Sequence, residues 1–192
     1  MKNFMKKIAL VAIAFLAFSC SEDKQPSADS VSIADTAKAT PDLSSFVEAL
    51  DITGLTDTLD ADGNFTVMAP TNDAFSNMLS NLGYSSLQDL EDNQPGVLSD
   101  ILKYHVISGA SVFSKDLTNG QSVATLLGQN FTVDLEANTY YPEIDPDLYT
   151  TEQTSIFIKD SNNDSARVFA RDVRCTNGLI HVINAVLMPS SN

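Results

Sequence analysis

Residues 176–189 read T-N-G-L-I-H-V-I-N-A-V-L-M-P. The run is largely apolar, opens on Asn177-Gly178 and is stopped by Pro189. Its β-branched residues Ile180, Val182, Ile183 and Val186 favour a strand over a helix, because branching at Cβ restricts the rotamers a helix allows. An apolar run without alternation predicts a strand buried on both faces. As the last regular segment it has to insert among segments made earlier, so the fold is expected to close around it.

The segments before it read mostly as β. Phe131, Val133 and Leu135 alternate with Thr132 and Asp134, the period of a strand with one buried face. Residues 156–159 and 167–173 flank the polar stretch Asp160-Ser161-Asn162-Asn163-Asp164-Ser165 and are expected to pair as a hairpin. Between residue 135 and that hairpin lies an insertion, residues 138–153, with Tyr140, Tyr141, Tyr149, two prolines and the acids Glu143, Asp145, Asp147 and Glu152.

The first half reads as helical around one strand. Ser32 is a candidate cap for a short helix through Ala39, and Thr40-Pro41 for the start of another. Leu43, Phe46, Val47 and Leu50 form one apolar stripe at i, i+3, i+4 and i+7. Asp60 to Asn64 is a turn by composition. It is similar to a calcium loop, but Thr71 stands where the twelfth-position Glu belongs. Phe65 to Pro70 predicts a strand, and Thr71 or Asn72 caps a helix bearing Phe75, Met78, Leu79 and Leu82. A polar loop is expected over Gln88–Gly96. The next helix carries Leu98, Ile101, Leu102 and His105, and either Gly109 closes it or Val106-Ile107 is already extended.

At the N-terminus, Lys2, Lys6 and Lys7 precede an apolar run of eleven residues, Ile8 to Phe18, and then Ser19-Cys20. This reads as a secretory signal over residues 1–19, too short to span a bilayer. A cysteine directly after such a run resembles a bacterial lipoprotein signal, although Ala17 stands three positions before it, where such signals usually carry Leu. On that resemblance Cys20 is acylated and residues 20–30 form a disordered tether, which anchors the chain to a membrane without crossing it. Glu22 and Asp23 resemble signals that send lipoproteins to the outer surface of some Gram-negative cells. The expected location is exported and membrane-anchored, at the outer membrane and facing the periplasm or the cell exterior.

Without its first 19 residues, which hold three of the 11 Lys+Arg and none of the 25 Asp+Glu, the chain has a net charge of −17. Such a field repels phosphate backbones, so no nucleic-acid partner is expected. Cys175 has no disulfide partner once Cys20 is lipidated, and reads as a small apolar residue rather than a reactive thiol. Residues 31–189, about 160 in number, are enough for one domain with a full core, followed by a tail at 190–192.

Little in the chain speaks for catalysis. Only two histidines occur, and no carboxylate or cysteine stands at a metal-ligand spacing beside either. His105 and His181 therefore read as buried residues satisfied by backbone hydrogen bonds. Gly109-Ala110-Ser111-Val112-Phe113 fails the nucleophile-elbow pattern at its last position, and neither a zinc-protease motif nor a phosphate-cradling glycine loop is present. No catalytic residue, metal or cofactor is expected.

Taken together, Phe65 to Phe75 (F-T-V-M-A-P-T-N-D-A-F), Leu102 to Gly109 (L-K-Y-H-V-I-S-G) and residues 176–189 resemble the first conserved block, the Tyr-His motif and the second conserved block of a fasciclin-like domain. Asp116 to Gly128 is similar to that family's linking segment. The resemblance covers residues 31–189. It implies a single α+β domain, a wedge-shaped β-sandwich with helices packed along one side, and a non-catalytic adhesion or binding role. In animal relatives the Tyr-His region, here Tyr104 and His105, is implicated in cell attachment. The family commonly has Asp where this chain has Asn184; if that carboxylate pairs with the histidine, a charge-assisted bond becomes a neutral one here.

The expected partner is a surface or matrix protein or a polysaccharide, bridged by calcium where it is acidic, with Tyr140, Tyr141 and Tyr149 as contact residues. The structural alternative makes those tyrosines a lid over the sandwich edge. The alternative function is a carrier of a small apolar ligand in a groove between helices and sandwich. A hydrolase acting on extracellular polymers has the least support.

Overall fold

The computed structural model describes residues 31–138 and 153–190. Six helices, α1 (Ile33–Lys38), α2 (Ser44–Thr53), α3 (Thr56–Asp60), α4 (Asn72–Leu82), α5 (Leu87–Asn93) and α6 (Val97–Tyr104), pack against a seven-stranded sheet. Its strands are β1 (Phe65–Pro70), β2 (Val106–Ser108), β3 (Ser122–Ala124), β4 (Asn130–Asn138), β5 (Gln153–Lys159), β6 (Ser165–Cys175) and β7 (Gly178–Ile183).

The sheet order is β2-β1-β7-β6-β5-β4-β3. The terminal strand β7 is thus central, parallel to β1 over Phe65↔Gly178 to Pro70↔Ile183 and antiparallel to β6. It is shorter than the apolar run suggests, ending at Ile183, where Asn184 turns the chain away. The sheet curls until its edges nearly meet, with the Leu126 N–H 2.6 Å from the Val106 carbonyl.

Two apolar cores explain the patterning. Val67 and Ala69 of β1, with Ile180 and Val182 of β7, face the helices and pack on Phe46, Phe75, Leu90 and Ile101. Met68 and Ile183 face the other way, into the curl, against Phe131, Val133, Ile156, Ile158 and Val168. Both central strands are buried on both faces, so their sequences do not alternate. The α+β class and the curled sheet with helices along one side agree with the resemblance.

Local signals account for most boundaries. The Thr71 hydroxyl accepts from the Ala74 N–H at 3.3 Å and caps α4, and Ser32 caps α1 through the Asp35 N–H at 3.1 Å. Thr40 does not cap: its hydroxyl donates to the Thr36 carbonyl at 2.8 Å, and Pro41 opens a 3-10 turn before α2. The stretch expected as a loop over 88–96 is largely α5, capped by the Ser86 hydroxyl and buried through Leu87 and Leu90. Helix α6 ends at Tyr104 and His105 closes it, while Val106-Ile107 is extended in β2.

The Asn177-Gly178 pair joins distant parts of the chain. Asn177 is buried; its Oδ1 accepts from the Ile33 N–H at 2.9 Å, and its Nδ2 donates to the Leu59 and Ala61 carbonyls at 2.7 and 3.0 Å. One amide therefore ties α1, the end of α3 and the entry to β7, with every bond matching an amide's donors and acceptor.

Candidate functional site

Tyr104 and His105 lie side by side and both have 0% of their surface exposed. The Tyr104 hydroxyl donates to the Asn130 carbonyl at 2.8 Å and is 3.1 Å from Ser161 Oγ. Its ring meets Phe131 edge-on, with centroids 6.5 Å apart. Burial pushes the phenol pKa upward, partly offset by the Ser161 bond. His105 Nδ1 is 2.7 Å from the Ile101 carbonyl, which only accepts, so Nδ1 carries the proton. Nε2 then accepts from the Leu187 N–H at 2.9 Å. Burial lowers the imidazole pKa to about 4, against the upward effect of the Ile101 bond, and the ring is neutral.

The contact role implied for Tyr104 and His105 does not fit these positions. Neither side chain reaches the surface. They bind α6 to β4, to the turn after β5 and to the C-terminal segment. Tyr104→Phe is expected to cost about 1 kcal/mol, the loss of one hydrogen bond that leaves a partly buried carbonyl unsatisfied. Urea unfolding measures it, while binding to any surface partner is expected to stay unchanged.

His181 is held the opposite way round. Its Nε2 donates to the Val112 carbonyl at 2.9 Å, and its Nδ1 accepts from the Asp172 N–H at 3.2 Å. Burial lowers its pKa as well, against the raising effects of Val112 and Asp172. The Asp172 carboxylate points elsewhere, accepting from the Ser114 N–H at 2.7 Å and from the Ser114 hydroxyl. Burial opposes its ionisation, but the Ser114 bonds, with His181 and Arg171 nearby, outweigh this and hold the carboxyl below the usual range. Serine, aspartate and histidine thus meet in an order unlike a hydrolase triad. The Ser114 hydroxyl donates to the carboxylate, and the imidazole faces a backbone amide.

Asn184 does not pair with a histidine, as the substitution for Asp had suggested. Its Oδ1 accepts from the Arg167 N–H at 2.8 Å and fastens the end of β7 to β6. Cys175 is half-buried at the margin of the helix-side core, with Sγ 3.3 Å from Thr36 Oγ1.

Two surface features have lining residues that were not read from the sequence. One is a groove of about 530 Å³ between α6, the turn at 127–129 and the C-terminal segment. Val97, Ile101, Leu127, Met188 and Pro189 line its apolar part, and Asp100, Gln129 and Ser190 line its polar part. The other is a basic corner at Phe113, Lys115 and Arg174. Composition hides it, since cations are few and scattered in sequence and only the fold gathers them. Among the described residues no group of three or more His, Cys, Asp and Glu side chains is arranged to hold a metal ion. Cys20, Tyr140, Tyr141 and Tyr149 lie outside the described residues.

Comparison with known proteins gives a consistent result. The sequence pattern described as the Fasciclin domain matches residues 41–189. Protein sll1483 of Synechocystis sp. is 31% identical over 83% of this chain and 74% of its own length. Human periostin is 31% identical over 83% of this chain, which spans only 16% of periostin. Immunogenic protein MPB70 of Mycobacterium bovis is 30% identical over 85% of this chain and 70% of its own. In structure, the domain pair of the insect cell adhesion molecule Fasciclin I superposes with a TM-score of 0.52 at 21% identity, over 76% of this chain and 45% of the other.

Proposed function

This chain belongs to the fasciclin domain family, and from that membership we propose that it is an exported, non-catalytic binding module, anchored to a membrane through Cys20 and carried on the tether at 20–30. Fasciclin domains occur in adhesion and extracellular proteins. One observation carries the reading: among the described residues, both histidines, Asp172 and Ser114 are tied into the core or into fixed hydrogen bonds. His105, His181, Asp172 and Ser114 each have partners that leave no nucleophile beside a base. Among the described residues no helix is long and apolar enough to cross a membrane; in this reading the anchor is the lipid on Cys20.

The partner is a surface or matrix protein or a polysaccharide, met by Tyr140, Tyr141 and Tyr149 of the insertion. Strands β4 and β5 pair as far as Asn138↔Gln153, so the insertion leaves from the end of a two-stranded arm. Tyrosine side chains offer wide amphipathic contact at low entropic cost. With a net charge of −17 once residues 1–19 are removed, contact between its acidic faces and a densely acidic surface calls for a divalent bridge. The test is binding of the purified protein to an array of glycans and matrix proteins, with calcium and with chelator. A specific signal is expected, and replacing the three tyrosines with Ala is expected to abolish it at unchanged melting temperature. A blank array under both conditions overturns the reading.

The groove supports a second reading, a carrier of a small apolar ligand. Its volume suits such a molecule, and Val97, Ile101, Leu127 and Met188 form one apolar wall. Native mass spectrometry of protein extracted from its own cells decides: a ligand adduct supports it and a clean apo mass sinks it.

A further inference from the structure

The described residues hold seven Lys and Arg. Lys38, Lys103 and Lys159 each have a carboxylate partner, at 3.9, 3.9 and 2.6 Å from Asp35, Asp100 and Asp134. In so acidic a chain that is the expected state of a cation. Lys115, Arg167, Arg171 and Arg174 have no ion pair among the described residues, and two of these four, Lys115 and Arg174, converge on one ring, that of Phe113. The Arg174 guanidinium lies 5.2 Å from the centroid of the Phe113 ring and the Lys115 ammonium 5.8 Å from it. Arg171 lies on the same stretch of β6, its Nη1 3.4 Å from the Thr154 carbonyl.

Two cations held on one ring repel each other. The ring's negative face offsets part of that repulsion, and an anion placed between the cations would offset more. Nearby carboxylates do not serve. Asp172 is taken up by both donors of Ser114, and Asp116, on the same turn as Lys115, makes no ion pair with it. Lys115, Arg171 and Arg174 are all exposed. Arg171 already feels the Asp172 carboxylate, which leaves Lys115 and Arg174 as the two cations of the corner without an ion-pair partner.

We propose that the Phe113–Lys115–Arg174 corner, with Arg171 beside it, docks a sparsely charged anionic polysaccharide, one bearing isolated uronate-type carboxylates. This deepens the binding-module reading and rests on it. Charge selects the partner. At −14 for the full sequence, and −17 without residues 1–19, the molecule repels a dense polyanion such as nucleic acid or an anionic bilayer at long range. Screening confines attraction to the corner itself, within about 8 Å at physiological salt, a range that suits single carboxylates carried on neutral sugar. Arginine's planar fork matches a carboxylate in two parallel bonds, and a stiff saccharide loses less freedom on docking than an acidic peptide does. Unlike calcium bridging, this contact needs no metal.

The probe is immobilised pectin with most of its galacturonate carboxylates methyl-esterified, so that the free ones are isolated, in the presence of chelator, with neutral dextran as blank. Wild-type protein is expected to bind, more weakly as salt rises. Lys115→Gln with Arg174→Gln is expected to weaken binding about tenfold or more, the loss of two charge-assisted contacts. Lys38→Gln with Lys103→Gln, which removes the same charge from cations that already have partners, is expected to change it little. Should the first pair melt early, Lys115→Gln alone, at an exposed position, carries the comparison with a smaller loss. Equal binding by the Lys115/Arg174 variant overturns the proposal. So does equally tight binding to duplex DNA, phosphatidylglycerol vesicles or polyglutamate, which would mark plain anion attraction. On the wider array, a partner whose binding survives the double substitution removes this corner and leaves the binding-module reading intact; a blank wild type removes both.

Discussion

Gly178→Ala is expected to destabilise the domain by about 4 kcal/mol, combining overpacking with backbone strain. The backbone at Gly178 has φ +150°, outside the range an L side chain readily adopts. A Cβ added there would lie 1.9 Å from the Phe65 carbonyl oxygen and 2.8 Å from the Phe65 nitrogen. Those are backbone atoms of β1, fixed by parallel pairing with β7 and by the bond from the Phe65 N–H to the Asn177 carbonyl at 2.9 Å. No rotamer change relieves the clash, so the central strand pair must separate. For a domain of this size the loss corresponds to a fall in melting temperature of about 10 °C or more. Gly54→Ala is the control: Gly54 has φ +69° but nothing within 4 Å of its Cβ position, so only the left-handed strain remains, about 1 kcal/mol. Similar losses in the two variants, by thermal or urea unfolding, would sink the argument.

Acid is expected to weaken the fold through His105. Its folded pKa of about 4 lies below the unfolded value of 6.5, so between those values the unfolded chain binds more protons. The contribution is complete above pH 6.5 and is lost as pH falls towards 4; below that, both states are protonated and nothing further is lost from this group. The loss between pH 7 and about pH 4.5 is on the order of 2 kcal/mol. Protonation also has a stereochemical effect: Nε2 becomes a donor facing the Leu187 N–H, and the bond holding the C-terminal segment is lost. His181, shifted in the same direction by burial, adds to the trend. Urea unfolding at both pH values measures the slope, and His105→Gln is expected to be less stable at pH 7 but flatter with pH. An unchanged slope in that variant would assign the acid sensitivity elsewhere.

How much of this was legible depends on how local each signal is. The strand at Phe65–Pro70, the Thr71 cap and the buried terminal strand are written in neighbouring residues, and the structure has all three. Helix α5 was hidden because only Leu87 and Leu90 mark its buried side among Gln88, Asp89, Glu91, Asp92 and Asn93. The burial of both histidines followed from their apolar surroundings. Their partners did not: Leu187 is 82 residues from His105 and Val112 is 69 from His181. Asn184 was misassigned because its bond to Arg167 depends on how β6 pairs with β7, through two register shifts that no spacing announces. The basic corner was invisible for the same reason, since residues 113, 115 and 174 become neighbours only once the sheet has curled.

The central position of β7 also bears on the order of events as the chain is made. Synthesis proceeds from the N-terminus, yet β1 and β6 acquire their shared neighbour only when residues 178–183 have emerged. Until then the apolar edges of both strands are unpaired, and closure must bring together parts of the chain more than 100 residues apart, a slow kind of folding event. A product cut short before residue 178 would lack the strand that joins β1 to β6. The sheet is completed only when residues 178–183 are available, and until then the chain lacks the strand that joins its two halves.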